Sequence, residues 1–166
     1  MRELTLIRDP QDKRRLDLAG IGTIRFTSKW GNKVTLSAPG HGDLHLRGRL
    51  MLRDVTHISD QIGTELGTFT ASKRAIELGA RTLHVSKPKE GWTGGPQPVE
   101  LIEDERVLAR YAPWAWDGRR PITVEILDEE FAGAEPLLVL LGLYGTVQYA
   151  IVRSASAAAS AGTANP

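Results

Sequence analysis

Two pairs of adjacent basic residues are the surface feature whose chemistry is easiest to interpret. Lys73-Arg74 and Arg119-Arg120 each follow a run that ends on an aromatic residue, as does the single Lys29. If these turns meet at one end of a barrel, each charge would contribute about 1 kcal/mol near an anionic membrane surface. A solvated hairpin tip is the alternative interpretation, because surface charge pairs are common. We take the two pairs as candidate lipid-binding residues.

Two indoles lie close to the second basic pair. Trp114 and Trp116 are two residues apart, so they share one face if this segment is a strand. An exposed pair of indoles can stack on a ligand or sit at a lipid interface. The alternative is that the two indoles cover the rim of an open barrel end. They join the basic pairs as candidate lipid-binding residues.

The sequence contains none of the motifs that would indicate catalysis or metal binding. The absence of cysteine excludes thiolate zinc sites and cysteine nucleophiles. His41 and His45 lie in a glycine-rich turn that enters a strand, where their spacing does not bring the two rings together. Nucleophile elbows and phosphate-binding loops are also missing from the sequence. We expect no catalytic, cofactor-binding or metal-binding residues, and a protein that is not an enzyme.

The overall composition is that of an ordinary folded domain. The chain has 166 residues, of which 41% are hydrophobic and 25% are charged. Its 21 Lys and Arg residues nearly balance its 20 Asp and Glu residues, so the net charge of +1 does not indicate a nucleic-acid partner.

Alternation of apolar and polar residues is the dominant pattern, and it predicts strands with one buried face. Turn signals separate about eleven such strands, which favours a closed antiparallel barrel or a sandwich. The apolar positions of the predicted strands are Leu4/Leu6, Ile24/Phe26, Val34/Leu36, Leu44/Leu46, Leu50/Leu52, Leu66–Phe69, Ile76/Leu78, Leu83/Val85, Val99/Leu101, Val107–Tyr111 and Ile122/Val124/Ile126.

Three of these strands follow a pattern that indicates an internal repeat. Residues 22–26, 65–69 and 107–111 each end on an aromatic residue, and the aromatics are 43 and 42 positions apart. Each segment precedes a basic turn and a second alternating strand. Chance recurrence of similar hairpins in an all-β chain is the alternative explanation.

One segment breaks the alternation and predicts a helix from Pro136 to Val152. Its five consecutive apolar residues, 137–141, point around the whole circumference, so the helix must be enclosed by protein or by lipid. The 16 residues from Leu137 to Val152 would span only about 24 Å, short of about 30 Å of bilayer hydrocarbon. A buried core helix is therefore favoured, and a membrane anchor is the alternative.

The order of these elements resembles the tubby-like superfamily, which includes the phospholipid scramblase and LURP-one-related groups. Asp117-Gly118-Arg119-Arg120 and the strand 121–126, then an acidic linker and residues 137–149, resemble the last strand and central helix of that fold. The resemblance implies a short, bacterial-type member with a closed barrel of 11 or 12 strands around one buried C-terminal helix. It also implies lipid binding through basic residues on the barrel exterior. A scramblase-type calcium loop is missing, so lipid scrambling is not implied.

These observations predict a mostly β fold with one barrel domain over residues 1–153, a central helix near 135–153 and a disordered tail over 154–166. The expected function is a non-catalytic binding or scaffolding domain whose partner is anionic membrane lipid or another protein. A small protein anchored by helix 137–152 and an enzyme or ligand carrier with an unrecognised site are the alternatives. We find no targeting signal and expect a cytoplasmic protein, with peripheral membrane association if lipid binds.

Overall fold

A closed β-barrel forms the body of the protein. The structure, a computed structural model, describes residues 1–28, 32–48, 54–87, 90–91, 95–96, 98–112 and 122–146. Within these residues, twelve strands form one closed sheet in which neighbours are antiparallel, and two short strands pair separately. The strands are β1 (Arg2–Arg8), β2 (Arg15–Leu18), β3 (Gly22–Phe26), β4 (Lys33–Ser37), β5 (Leu44–Gly48), β6 (Val55–Ser59), β7 (Glu65–Thr70), β8 (Ala75–Leu78), β9 (Arg81–Val85), β10 (Glu90–Gly91), β11 (Gly95–Pro96), β12 (Val99–Glu103), β13 (Arg106–Tyr111) and β14 (Ile122–Ile126).

The alternating sequence pattern builds the barrel core. In β4, Val34 and Leu36 are buried, whereas Lys33, Thr35 and Ser37 occupy the outer surface. The same alternation recurs round the sheet, so the inner face of the barrel is apolar. The predicted closed antiparallel barrel is thereby confirmed.

Each predicted strand that lies within the described residues is present, but two of the twelve barrel strands, β2 and β6, and the separate short pair, β10 and β11, are absent from the prediction. β2 has only four residues, two of them charged, which gives a weak apolar signal. In β6 the inward positions are Thr56 and Ile58, so a single large apolar residue marks the strand. The strand predicted at Leu50 and Leu52 lies outside the described residues.

The three repeat segments fall at equal intervals round the barrel. They form β3, β7 and β13, and each is the fourth strand from the next in the closed sheet. Because neighbouring strands are antiparallel, these three strands run in the same direction and finish at the same end of the barrel. This spacing favours three four-stranded repeats over chance recurrence.

Two helices follow β14 at the opposite end of the barrel, which we call the mouth. Helix α1 (Glu129–Ala134) is capped by Asp128, whose carboxylate accepts a hydrogen bond from the backbone N–H of Phe131 at 3.0 Å. Helix α2 covers residues 136–146 of the described chain. The predicted acidic linker is therefore wrong in part, because Glu129 and Glu130 form the first turn of α1. The break falls at Glu135, where the following proline disfavours helical backbone.

Helix α2 lies inside the barrel and is enclosed by strands. Val139, Leu140, Leu141 and Leu143 have no exposed surface, although they point in different directions round the helix. This confirms that protein encloses the predicted helix over residues 136–146, whereas residues 147–153 and the predicted tail lie outside the described residues. Among the described helices, none combines the length and the apolar character that a bilayer crossing requires.

Close contacts from several strands hold α2 in place. The Tyr111 hydroxyl on β13 donates a hydrogen bond to the Val139 carbonyl at 2.8 Å, and burial raises the pKa of Tyr111. The Tyr144 ring packs edge-on against Phe69 of β7 with 6.2 Å between ring centroids. Gly142 faces the Tyr111 side chain so closely that a methyl group there would overlap its hydroxyl. The glycine therefore permits the close approach of helix and barrel wall.

Candidate functional site

Polar contacts at the mouth fasten the helices to the barrel. Arg81 at the start of β9 bridges Glu103 of β12 at 2.7 Å and Glu135, the residue between the two helices, at 2.7 Å. Hydrogen bonds from Arg81 hold the pKa of Glu103 below its ordinary value. Arg106 also pairs with Asp128, the cap of α1. These charged side chains pair with one another within the protein. The ion pairs therefore position the helices and do not indicate a ligand-binding site.

The first basic pair predicted from the sequence lies in the turn between β7 and β8, at the end of the barrel remote from the mouth. Lys73 is exposed, whereas Arg74 is half-buried, with one guanidinium nitrogen shielded from solvent. The neighbouring Ser72 donates hydrogen bonds to the carboxylate of Asp54 at 2.7 and 2.8 Å. This turn therefore presents one exposed cation, Lys73, beside a carboxylate.

The other predicted lipid-binding residues, Arg119, Arg120, Trp114 and Trp116, lie outside the described residues. The strand that precedes them, β13, finishes at the same end of the barrel as β7. The prediction that the basic turns cluster with the indoles at one barrel end therefore stays a prediction.

A different pair of cations lies on the outer wall of the barrel. Lys33 of β4 and Arg47 of β5 are directly opposite each other in the strand register. Both are exposed, and neither forms an ion pair within the described part of the chain. Like charges directly opposite each other on adjacent strands are destabilising. Among the residues that the structure describes, the fold thus holds two cations together with no ion pair to either of them.

These two cations border a groove on the outer face of β4 to β7. The groove encloses about 590 Å³ and includes Thr35, His45 and Ser59, so hydroxyl and imidazole groups line its floor. A second groove of about 770 Å³ extends across β2 to β5 and shares Thr27, Thr35 and His45 with the first. The two grooves therefore form one polar surface across neighbouring strands.

Histidines and hydroxyls on this surface supply further hydrogen-bonding groups. The Thr35 hydroxyl lies 3.2 Å from Nδ1 of His45, its cross-strand neighbour. His57, cross-strand to Arg47, lies 2.9 Å from the carboxylate of Glu65. That carboxylate is therefore engaged by a histidine and forms no ion pair with Lys33 or Arg47 among the described residues.

The opposite side of the barrel has the reverse charge. Glu100, Arg110 and Glu125 lie in one row across β12, β13 and β14, and Glu3 of β1 continues it. Arg110 contacts both Glu100, at 2.9 Å, and Glu125, at 3.4 Å. One cation among three carboxylates leaves this side acidic. We call Lys33 and Arg47, on β4 and β5, the basic outer face; the second groove beside them is mixed in charge, because Asp9, Asp12 and Asp43 border it. Among the described residues, the row across β12, β13, β14 and β1 makes the nearly opposite wall acidic.

Sequence reasoning missed the pair formed by Lys33 and Arg47 because they are 14 positions apart. A usable signal is present in the sequence. The turn Ala38-Pro39-Gly40 joins two alternating runs, and Lys33 and Arg47 both fall on polar positions of those runs. A hairpin folded about residue 40 would place them opposite each other.

The comparisons with other proteins leave the family unassigned. No protein-family model matches the sequence, and neither a curated protein nor a solved structure is significantly similar to it. The tubby-like resemblance therefore stays a prediction. Among the described residues, His, Asp and Glu side chains form no group of three or more that could hold a metal ion.

Proposed function

We propose that this protein is a non-catalytic binding domain whose basic outer face, centred on Lys33 and Arg47, binds anionic phospholipid headgroups at a membrane surface. The observation that carries the proposal is the direct cross-strand pairing of these two exposed cations. Their repulsion costs about 0.2–1 kcal/mol in the unbound protein, and an anion placed between them would relieve it.

The breadth of the surface supports a membrane rather than a small buried anion. Arg25, Lys33 and Arg47 lie on three neighbouring strands, which spreads their charges over about 10 Å. Arg25 pairs with Asp12 at 3.2 Å, so it contributes less than the other two cations. A shallow surface with spread charges suits several headgroups, each attracted by about 1 kcal/mol per cation. The tubby-like resemblance points to the same class of ligand.

Sedimentation with vesicles tests the proposal. At low ionic strength the protein should sediment with vesicles of phosphatidylcholine and phosphatidylserine in equal amounts, and added salt should release it. Changing Lys33→Ala together with Arg47→Ala should weaken vesicle binding about thirtyfold, because each charge contributes about 1 kcal/mol to the binding free energy. Both side chains are exposed, so the variant should remain folded.

A second double variant, which removes the same net charge outside the proposed site, is the control. Arg8 and Lys87 are exposed cations that border neither groove. Changing both to Ala should weaken binding by less than about threefold, because screening limits their reach. Equal losses in the two double variants would contradict the site, and failure of the wild type to sediment would contradict the lipid proposal. Changing Lys73→Ala and Arg119→Ala in parallel measures the contribution of the basic turns.

A further inference from the structure

The turn between β6 and β7 presents an unusual side chain to solvent. Ile62 is 82% exposed, although isoleucine is among the residue types most often buried. Single exposed apolar residues are common, so exposure alone indicates nothing. Two further observations give Ile62 a role.

First, the turn is braced so that Ile62 is held outward. The Asp60 carboxylate accepts hydrogen bonds from the backbone N–H groups of Ile62, at 3.0 Å, and Thr64, at 2.9 Å. The Asp60 backbone N–H also donates to the Thr64 carbonyl at 2.9 Å, and Gly63 adopts a positive φ of 90°. The turn is therefore ordered before any ligand binds, which lowers the entropic cost of binding. These bonds also engage the Asp60 carboxylate, the acidic group closest in sequence to Ile62.

Second, Ile62 borders the same groove as Lys33 and Arg47. Ile62 lies in the turn that follows β6, whereas His57, the cross-strand neighbour of Arg47, lies within β6, five positions earlier, so the apolar tip is displaced along the wall from the cations. The surface is thus cationic towards one end and apolar at the other. A phospholipid bilayer offers the complementary arrangement of anionic headgroups above acyl chains.

We propose that Ile62 inserts into the membrane when the basic outer face binds headgroups, so that the barrel is tilted, with the outer wall of β4 to β7 facing the bilayer and the β6–β7 turn lying deepest. This inference rests on the proposed function and adds the orientation of the bound protein. Burial of one isoleucine side chain should strengthen vesicle binding about fivefold or more.

The absence of cysteine allows a direct test of insertion. Single variants Ile62→Cys and Ile7→Cys are labelled with an environment-sensitive nitrobenzoxadiazole dye. Ile7 is the matched control, because it is 57% exposed, lies on β1 and borders neither groove. With vesicles of phosphatidylcholine and phosphatidylserine in equal amounts, dye emission should rise and shift to the blue at position 62 and stay unchanged at position 7.

The outcomes separate this inference from the proposed function. If the labelled proteins sediment with the vesicles but neither dye responds, or both respond equally, membrane binding stands and the orientation is wrong. If neither protein sediments, the proposed function fails first. Ile62→Ser in the unlabelled protein should also lower vesicle affinity about fivefold, whereas Ile7→Ser should change it less than twofold. Equal affinities for the wild type and Ile62→Ser would overturn the inference.

Discussion

Replacing Gly142 with alanine perturbs the contact on which the enclosed helix depends. Gly142 lies within α2, where alanine normally stabilises a helix by about 1 kcal/mol relative to glycine. Here the added methyl would overlap the Tyr111 hydroxyl. Displacing that ring costs about 1–3 kcal/mol of overpacking, and breaking its bond to Val139 costs about 1 kcal/mol more. We therefore expect Gly142→Ala to lower the free energy of unfolding by about 1–3 kcal/mol.

A double-mutant cycle identifies the hydroxyl as the cause. Tyr111→Phe alone should cost about 1 kcal/mol, because it removes one buried hydrogen bond. In that background the closest neighbours of the alanine methyl are the ring carbon of residue 111 and a Leu101 methyl, each at 3.1 Å, and small shifts relieve those contacts. Gly142→Ala should then cost almost nothing further, so the coupling energy should be about 2 kcal/mol.

Urea unfolding followed by circular dichroism measures the four proteins of the cycle. Gly133 in α1 provides the control, because a methyl group there would have no neighbour within 4 Å. Gly133→Ala should not destabilise the protein. If Gly142→Ala stabilises the protein as well, and does so in both backgrounds, Tyr111 does not press on α2 and the enclosed helix is wrong.

Three further predictions concern the core, the mouth and the basic outer face. Leu141→Ala should cost about 2–5 kcal/mol in urea unfolding, because the residue is completely buried, and a cost below about 1 kcal/mol would contradict its place in the core. Arg81 lowers the pKa of Glu103, so the stability from this pair is present above the ordinary pKa of 4.5 and is lost as pH falls. Arg81→Ala should therefore be less stable than the wild type at pH near 7, and the difference should shrink below about pH 4, which thermal melts at several pH values would measure. Lys33→Glu should raise the free energy of unfolding by about 0.2–1 kcal/mol through a cross-strand pair with Arg47 while weakening vesicle binding; a destabilised variant would contradict the register.

The barrel can be predicted from the sequence because the pattern that indicates each strand lies within that strand. Alternation along each strand decides which side chains face the core, as Val34 and Leu36 do in β4. The wholly apolar run 137–141 likewise indicates an enclosed helix, since no side of it suits water. The sequence does not reveal β2 because this strand has only four residues, although both of its inward residues, Leu16 and Leu18, are large and apolar. It does not reveal β6 because Ile58 is the one large apolar residue on the inward face of that strand.

The candidate site is less predictable because it depends on register between strands. Lys73 and Arg74 are adjacent in sequence and are therefore easily identified as a basic pair, yet Arg74 is half-buried in the folded turn. Lys33 and Arg47 are distant in sequence and become neighbours only when β4 and β5 pair. A binding surface on a sheet is formed by residues from several neighbouring strands, whereas a sequence pattern describes only the residues along one strand.

The four histidines provide the most direct test of the basic outer face without any substitution. His45 and His57 border the groove, whereas His41 lies near the mouth and His84 is exposed on β9. The protein with isotopically labelled histidine is titrated at constant pH with dihexanoyl phosphatidylserine below its micelle concentration, and the ring resonances are followed by NMR. The account predicts that the His45 and His57 signals shift together and saturate while those of His41 and His84 stay fixed. Shifts at His84 without shifts at His45 and His57, or no saturable shift at all, would contradict it.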